Sequence, residues 1–203
     1  VIDLEGKYIY PSFIDAYTGF GIEKPKRKTG QGRSPQYEAS REGFYWNDHI
    51  MPEQNGIDSF KYNNTSAEAF RKEGFGVVGT HKMDGIARGT GLLVALNNDL
   101  GDADRIIEDA LGQYFSFSKS VTSRQSYPGS LMGAMALLRQ MHYDADWYSK
   151  GNVRTKDRSL EALIANRGLV SFFEANDKGN NLRADKIGDL FNLDYVIVGG
   201  GDE

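Results

Sequence analysis

The chain has 203 residues, 39% hydrophobic and 26% charged, which is enough apolar material to bury a core in one domain or in part of a larger one. A formal net charge of −4 leaves no basic surplus for nucleic acid or anionic lipid, so neither is expected as a partner. No apolar run is long enough to span a membrane, and the absence of cysteine excludes disulfides and thiolate zinc sites.

Val1-Ile2-Asp3-Leu4 already reads as strand, with no initiating Met before it, and the last strand, Tyr195-Val196-Ile197-Val198, is followed by a single loop. The expectation is a fragment of a longer polypeptide, with the compartment left open, export included. Residues 2–13 read as two short strands around Glu5-Gly6-Lys7. Tyr10-Pro11-Ser12-Phe13-Ile14-Asp15-Ala16-Tyr17-Thr18-Gly19 is an apolar strand running into a sharp exit.

Residues 23–42 are rich in Lys, Arg, Gly, Ser and Pro, and Lys24-Pro25-Lys26-Arg27-Lys28 reads either as a basic patch for phosphate or nucleic acid or as a solvated loop. In an acidic chain the solvated loop is the plainer reading. His49 follows an aromatic cluster, Phe44-Tyr45-Trp46, and is expected to pack and hydrogen-bond rather than to act with Asp48. Asn63-Asn64-Thr65 matches a glycosylation sequon.

The spacing predicts a helix over 66–72, capped by Thr65 or Ser66 and stopped by Gly74. A strand over 75–80 follows. Gly74-Phe75-Gly76-Val77-Val78-Gly79 spells a dinucleotide fingerprint, but it follows a helix and is itself the strand, the reverse of the required context. Gly85-Ile86-Ala87-Arg88-Gly89-Thr90-Gly91 reads as a tight turn into the strand Leu92-Leu93-Val94-Ala95-Leu96, with an anion nest assisted by Arg88 as the other option.

Ser126-Tyr127-Pro128 opens a helix whose apolar stripe is Leu131, Met135, Leu138, His142 and Ala145. Then come a helix over 160–166 capped by Asp157 or Ser159, a strand over 169–175, a helix face of Ala184, Ile187, Gly188 and Phe191, and the strand 195–198. This alternation is the signature of an α/β fold with parallel strands.

Chemistry in such a fold sits at the carboxyl ends of the strands. These are Tyr17-Thr18-Gly19, Thr80-His81-Lys82, Glu174-Ala175-Asn176-Asp177 and 199–203. The segment Pro11-Ser12-Phe13-Ile14-Asp15-Ala16 resembles the first barrel strand of the amidohydrolase superfamily, whose pattern continues into two metal-binding histidines. Residues 69–78, 86–94, 130–139 and 181–193 resemble, in the same order, segments of its imidazolonepropionase-like branch.

The resemblance implies a partial (β/α) TIM-type barrel over 14–203, preceded at 1–13 by the end of a small β-sandwich. It also implies that Tyr17, Gly19, Glu174, Asn176 and Gly199 stand where imidazole ligands are expected. No cofactor is expected in this chain, and a divalent metal such as zinc only if a site is completed elsewhere.

Three uses follow from the resemblance. The first is a module without its own metal site, with a structural or interaction role in a larger protein, partnered by the rest of its polypeptide or by itself. The second is metal-dependent hydrolysis of a C–N bond in a cyclic amide or peptide-like substrate, once the chain is completed. The third is a small-molecule pocket lined by Tyr17, Trp46, His81, Glu174, Asn176 and Asp202. His81 and Glu174 are the only candidate catalysts.

Overall fold

The computed structural model describes residues 5–6, 8–99, 101–151 and 155–199. Six strands form one sheet in sequential order: β1 (Phe13–Thr18), β2 (Phe75–Thr80), β3 (Ala87–Ala95), β4 (Ile106–Ser116), β5 (Val170–Glu174) and β6 (Tyr195–Val198). The fold is mixed α/β. Five helices accompany the sheet among the described residues: α1 (Gly56–Ser59), α2 (Asn64–Lys72), α3 (Leu131–Ser149), α4 (Arg158–Ala165) and α5 (Lys178–Phe191).

Connection length sets strand direction. Helix α2 lies between β1 and β2, α3 and α4 between β4 and β5, and α5 between β5 and β6, and all three pairs are parallel. Among the described residues the links 81–86 and 96–105 hold no helix, so β3 runs antiparallel to both neighbours. This corrects the expectation of an all-parallel sheet. It also corrects the reading of 85–91 as a turn, because β3 begins at Ala87. Strand β4, the longest at 11 residues, is not legible in the sequence because Glu108 and Asp109 interrupt the apolar run of its first half, Ile106-Ile107-Glu108-Asp109-Ala110, of which 107–109 are exposed.

The sheet curls nearly into a barrel. Laid flat, β1 and β5 would stand about 19 Å apart, four spacings of about 4.8 Å. Instead Tyr17 of β1 hydrogen-bonds Glu174 of β5 at 3.0 Å.

Strand periodicity sorts side chains between the concave face and the helices. Tyr114, Phe172 and Glu174 share one face with Tyr17. Phe115 and Phe173 point the other way, into a core built with Leu137, Leu138 and Met141 of α3, Leu160 and Leu163 of α4, and Ala184 and Ile187 of α5. A smaller core packs Phe20 and Ala67 against Val78, Leu92 and Val94.

The helix caps are local. The carboxylate of Asp157 accepts from Ser159 N and Leu160 N, and that of Asp177 accepts from Asn180 N. Two starts differ from expectation. Asn63, inside the sequon, caps α2 by accepting from Ser66 N, and Ser130 caps α3, so residues 126–128 lie before the helix. Residues 8–12 form no strand, and 1–4 and 7, the rest of the expected strand pair, lie outside the described residues.

Candidate functional site

Four strands deliver side chains to one end of the concave face. Tyr17 comes from the end of β1, His81 from just after β2, and Glu174 from the last position of β5. Arg88 comes from the start of β3, and the reversal of that strand brings its beginning to the end where its neighbours finish.

Arg88 is buried, with 4% of its surface exposed, and its guanidinium organises the group. Nε donates to Gly85 O at 3.1 Å, Nη1 donates to the Tyr17 hydroxyl at 2.7 Å, and Nη2 pairs with Glu174 Oε2 at 2.5 Å. The Tyr17 hydroxyl donates in turn to the same Oε2. Cation, phenol and carboxylate thus form a closed triangle.

Below the triangle lies a ring stack. His81 is fully buried, parallel to Tyr114 with centroids 3.7 Å apart, and Tyr114 stacks on Phe172 at 4.8 Å. Tyr17 tilts over His81 at 4.6 Å. Gly91 makes room for the stack, since a Cβ there would stand 2.6 Å from Tyr114 Cε2 and 3.0 Å from His81 Cβ. Both ring nitrogens of His81 lack a hydrogen-bond partner among the described residues.

The protonation states follow from burial and from Arg88. Burial, and then the Arg88 charge, push His81 down to about 3, so it is neutral at ordinary pH. Burial pushes the Tyr17 phenol up to about 12 despite the opposing Arg88. Burial also pushes the Glu174 carboxyl upward, but the Arg88 charge and hydrogen bonds from Arg88, Tyr17 and Asn176 outweigh it and hold the group below its ordinary value. General acid–base chemistry works best with a group poised near the operating pH, and none of these three is so poised.

Of the residues singled out in the sequence, Tyr17, His81 and Glu174 converge, and Asn176 adds a hydrogen bond to Glu174. Trp46 does not join them. It stacks on Tyr127 at 6.0 Å, beside Tyr37 and Tyr45. Asp202 lies outside the described residues. Gly19 sits with only Met83 Sδ near its absent Cβ, at 3.6 Å.

Gly199 has φ +111°, and a Cβ there would stand 2.4 Å from Asn176 Oδ1 and 2.5 Å from Ala175 O. The central parts played by Arg88 and Tyr114 are not among the sequence expectations. The available signal was a lone arginine inside an otherwise small and apolar run, Ala87 to Leu96.

These donors do not fit a catalytic divalent ion. Such a site needs three or four converging N, O or S ligands and an open place for water. Among the described residues no group of three or more His, Asp or Glu side chains converges in that way. The carboxylate best placed to bind, Glu174, is already neutralised by a guanidinium.

His49 and His142 lie away from the site. His49 accepts from Ser120 N at Nδ1, which leaves its Nε2 proton to bond Gln125 O. His142 packs on Phe191 with centroids 4.7 Å apart. Both match the packing roles expected of them.

No protein-family model matches the chain, and no curated protein does. Among solved structures, an amidohydrolase from Thermotoga maritima MSB8 superposes with a TM-score of 0.66 at 16% identity. The match covers 97% of this chain and 55% of that one, so the chain spans about half the length of the similar protein. At this identity the likeness establishes an amidohydrolase-like fold.

Proposed function

We propose that the chain is part of an amidohydrolase-like barrel in which an internal cation, Arg88, takes the place of a catalytic metal, and that it serves as a structural and interaction module of a longer protein. The observation that carries this reading is the Arg88 triangle. It engages Tyr17 and Glu174, two of the five positions where the family resemblance expects metal ligands. A guanidinium and a dication repel each other, and the carboxylate that would bind metal already has its counter-ion. Gly199, a third such position, has no room for a side chain. In the same reading residues 14–203 are the first portion of a TIM-type barrel of the imidazolonepropionase-like branch, and 1–13 are the end of a preceding β-sandwich.

The test is direct. After incubation with zinc, manganese or nickel and gel filtration, the chain should carry far less than one equivalent of metal. Stoichiometric metal held with micromolar or tighter affinity overturns the reading. One observation favours a hydrolytic alternative, the likeness to a protein described as an amidohydrolase over 55% of that protein's length. Under that alternative the complete polypeptide, loaded with metal, turns over cyclic amides or dipeptides, and absence of turnover removes it.

A further inference from the structure

A second cavity, of about 520 Å3, lies away from the strand-end site, between the basic loop 23–36 and the segment 119–126. Its walls carry four cations, Arg27, Lys28, Lys119 and Arg124, together with Thr29, Ser34 and the glycines Gly30 and Gly32. Among the described residues no Asp or Glu lines it, and no Phe, Tyr or Trp. In a chain of net charge −4, four like charges around one cavity repel each other, and an anion relieves that cost.

The two walls are fastened together. Lys28 N donates to Val121 O at 2.8 Å, Ser126 N to Pro35 O at 2.8 Å, and Arg124 Nη2 to Gly32 O at 2.7 Å. The segment 119–126 is also pinned from behind. Ser120 N and Gln125 O hold the two nitrogens of His49. Asp84 accepts from Ser120 Oγ and Val121 N, and Asp48 accepts from Ser123 Oγ. These carboxylates stand behind the wall with their oxygens already engaged.

The cations keep donors free. Arg27 and Lys28 make no side-chain hydrogen bond or ion pair among the described residues. Arg124 retains Nε and Nη1, and Lys119, which donates to Ser126 O at 3.1 Å, retains two of its three protons.

We propose that this cavity binds an oligophosphate, a small ligand carrying two or more linked phosphate groups. Arg and Lys together supply planar forks and point charges for phosphate oxygens, and the volume lies within the usual range of small-molecule sites. Single-stranded nucleic acid is not favoured, because its recognition relies on aromatic platforms for the bases and this lining has none.

The experiment is calorimetric titration of the chain with sodium tripolyphosphate, with orthophosphate as the single-phosphate arm. Tripolyphosphate should bind saturably at one site, and orthophosphate at least about tenfold more weakly, because it reaches fewer of the four cations. Arg27→Gln/Lys28→Gln should lower tripolyphosphate affinity by about tenfold or more. Lys24→Gln/Lys26→Gln removes the same charge from the same loop, but at residues that face a different groove, and should change affinity less than about twofold.

Gly30→Ala keeps every charge. Its Cβ would stand 2.5 Å from Arg124 Nη1, at the far end of a flexible side chain, so the guanidinium must shift from its place on the wall and a fall in affinity is expected. Loss of affinity in Lys24→Gln/Lys26→Gln equal to that in Arg27→Gln/Lys28→Gln, or an unaffected Gly30→Ala, overturns the proposal in favour of non-specific attraction. Absence of saturable binding overturns it outright. A single-stranded oligonucleotide that binds more tightly than tripolyphosphate overturns the small-ligand assignment.

Discussion

Replacing Arg88 with methionine removes the guanidinium and keeps most of the aliphatic volume. Glu174 then holds a half-buried charge with no counter-ion, and Gly85 O and the Tyr17 hydroxyl each lose a donor. Breaking a fully buried pair from one side costs about 3–5 kcal/mol. The Arg88 side chain is 4% exposed but that of Glu174 is 30% exposed, so water recovers part of the loss and about 2–3 kcal/mol is expected. For a chain of this length that corresponds to a fall in Tm of about 5–10 °C.

The double variant Arg88→Met/Glu174→Gln should regain most of the loss, because no unpaired charge is left. The pH dependence carries a sign. The folded-state value of Glu174 lies below the ordinary carboxyl value of 4.5, so its stabilising contribution is present above pH 4.5 and fades as the pH falls through the lowered folded value. Without Arg88, only the hydrogen bonds from Tyr17 and Asn176 oppose burial, and the carboxyl protonates sooner. The gap between wild type and Arg88→Met should therefore be widest at neutral pH and narrow below 4.5. Urea unfolding followed by circular dichroism at several pH values measures it. A gap under about 0.5 kcal/mol at neutral pH, or one that does not change with pH, would refute the argument that this pair is a buried, coupled unit.

Two further outcomes are expected. His81 has a folded value of about 3 against 6.5 unfolded, so its contribution is complete above pH 6.5 and is lost progressively as pH falls towards 3. His81→Phe should leave neutral-pH stability within about 1 kcal/mol, since it removes two unpartnered ring nitrogens, and should flatten the acid limb of the stability profile; an unchanged acid limb counts against the buried neutral imidazole. Ile9 and Ile14 are 75% and 63% exposed, on or just before edge strand β1, beside Tyr8, Tyr10 and Phe13. The chain should therefore self-associate in analytical ultracentrifugation and become more monomeric as Ile9→Lys/Ile14→Lys, whereas a monomeric wild type removes the idea.

The sequence was most informative where the signal is local. Phe75 to Thr80 reads as strand because β-branched and aromatic residues sit between a helix stop at Gly74 and a polar exit, and β2 has those bounds. Asp157 caps α4 because a carboxylate before an apolar period satisfies free amides within its own turn. Of the stripe from Leu131 to Ala145, Leu138, His142 and Ala145 lie on the buried face of α3, which Ala134, Leu137 and Met141 complete.

The expected site was legible in part for the same reason. Tyr17, His81 and Glu174 each end a strand or follow one directly, and parallel strands carry their ends to one side.

What was not legible depends on partners far away in the chain. Arg88 is 86 residues before Glu174 and 71 after Tyr17, and nothing in its neighbourhood announces either. Its place follows from the reversal of β3, a consequence of two helix-free links that sequence periodicity does not weigh. Trp46 and His81 looked equally suited to a pocket, yet the curl of the sheet buries one among the strand-end side chains and leaves the other against α3 beside Tyr127.

Sequence alone thus determined the α/β class of fold, most of the helices and strands and the Asp157 cap, because those rest on contacts within a few residues. The tertiary structure alone decided that a guanidinium sits between Tyr17 and Glu174, and that four cations share one cavity. Electrostatic partners are set by distance in space, and only the folded chain defines that distance.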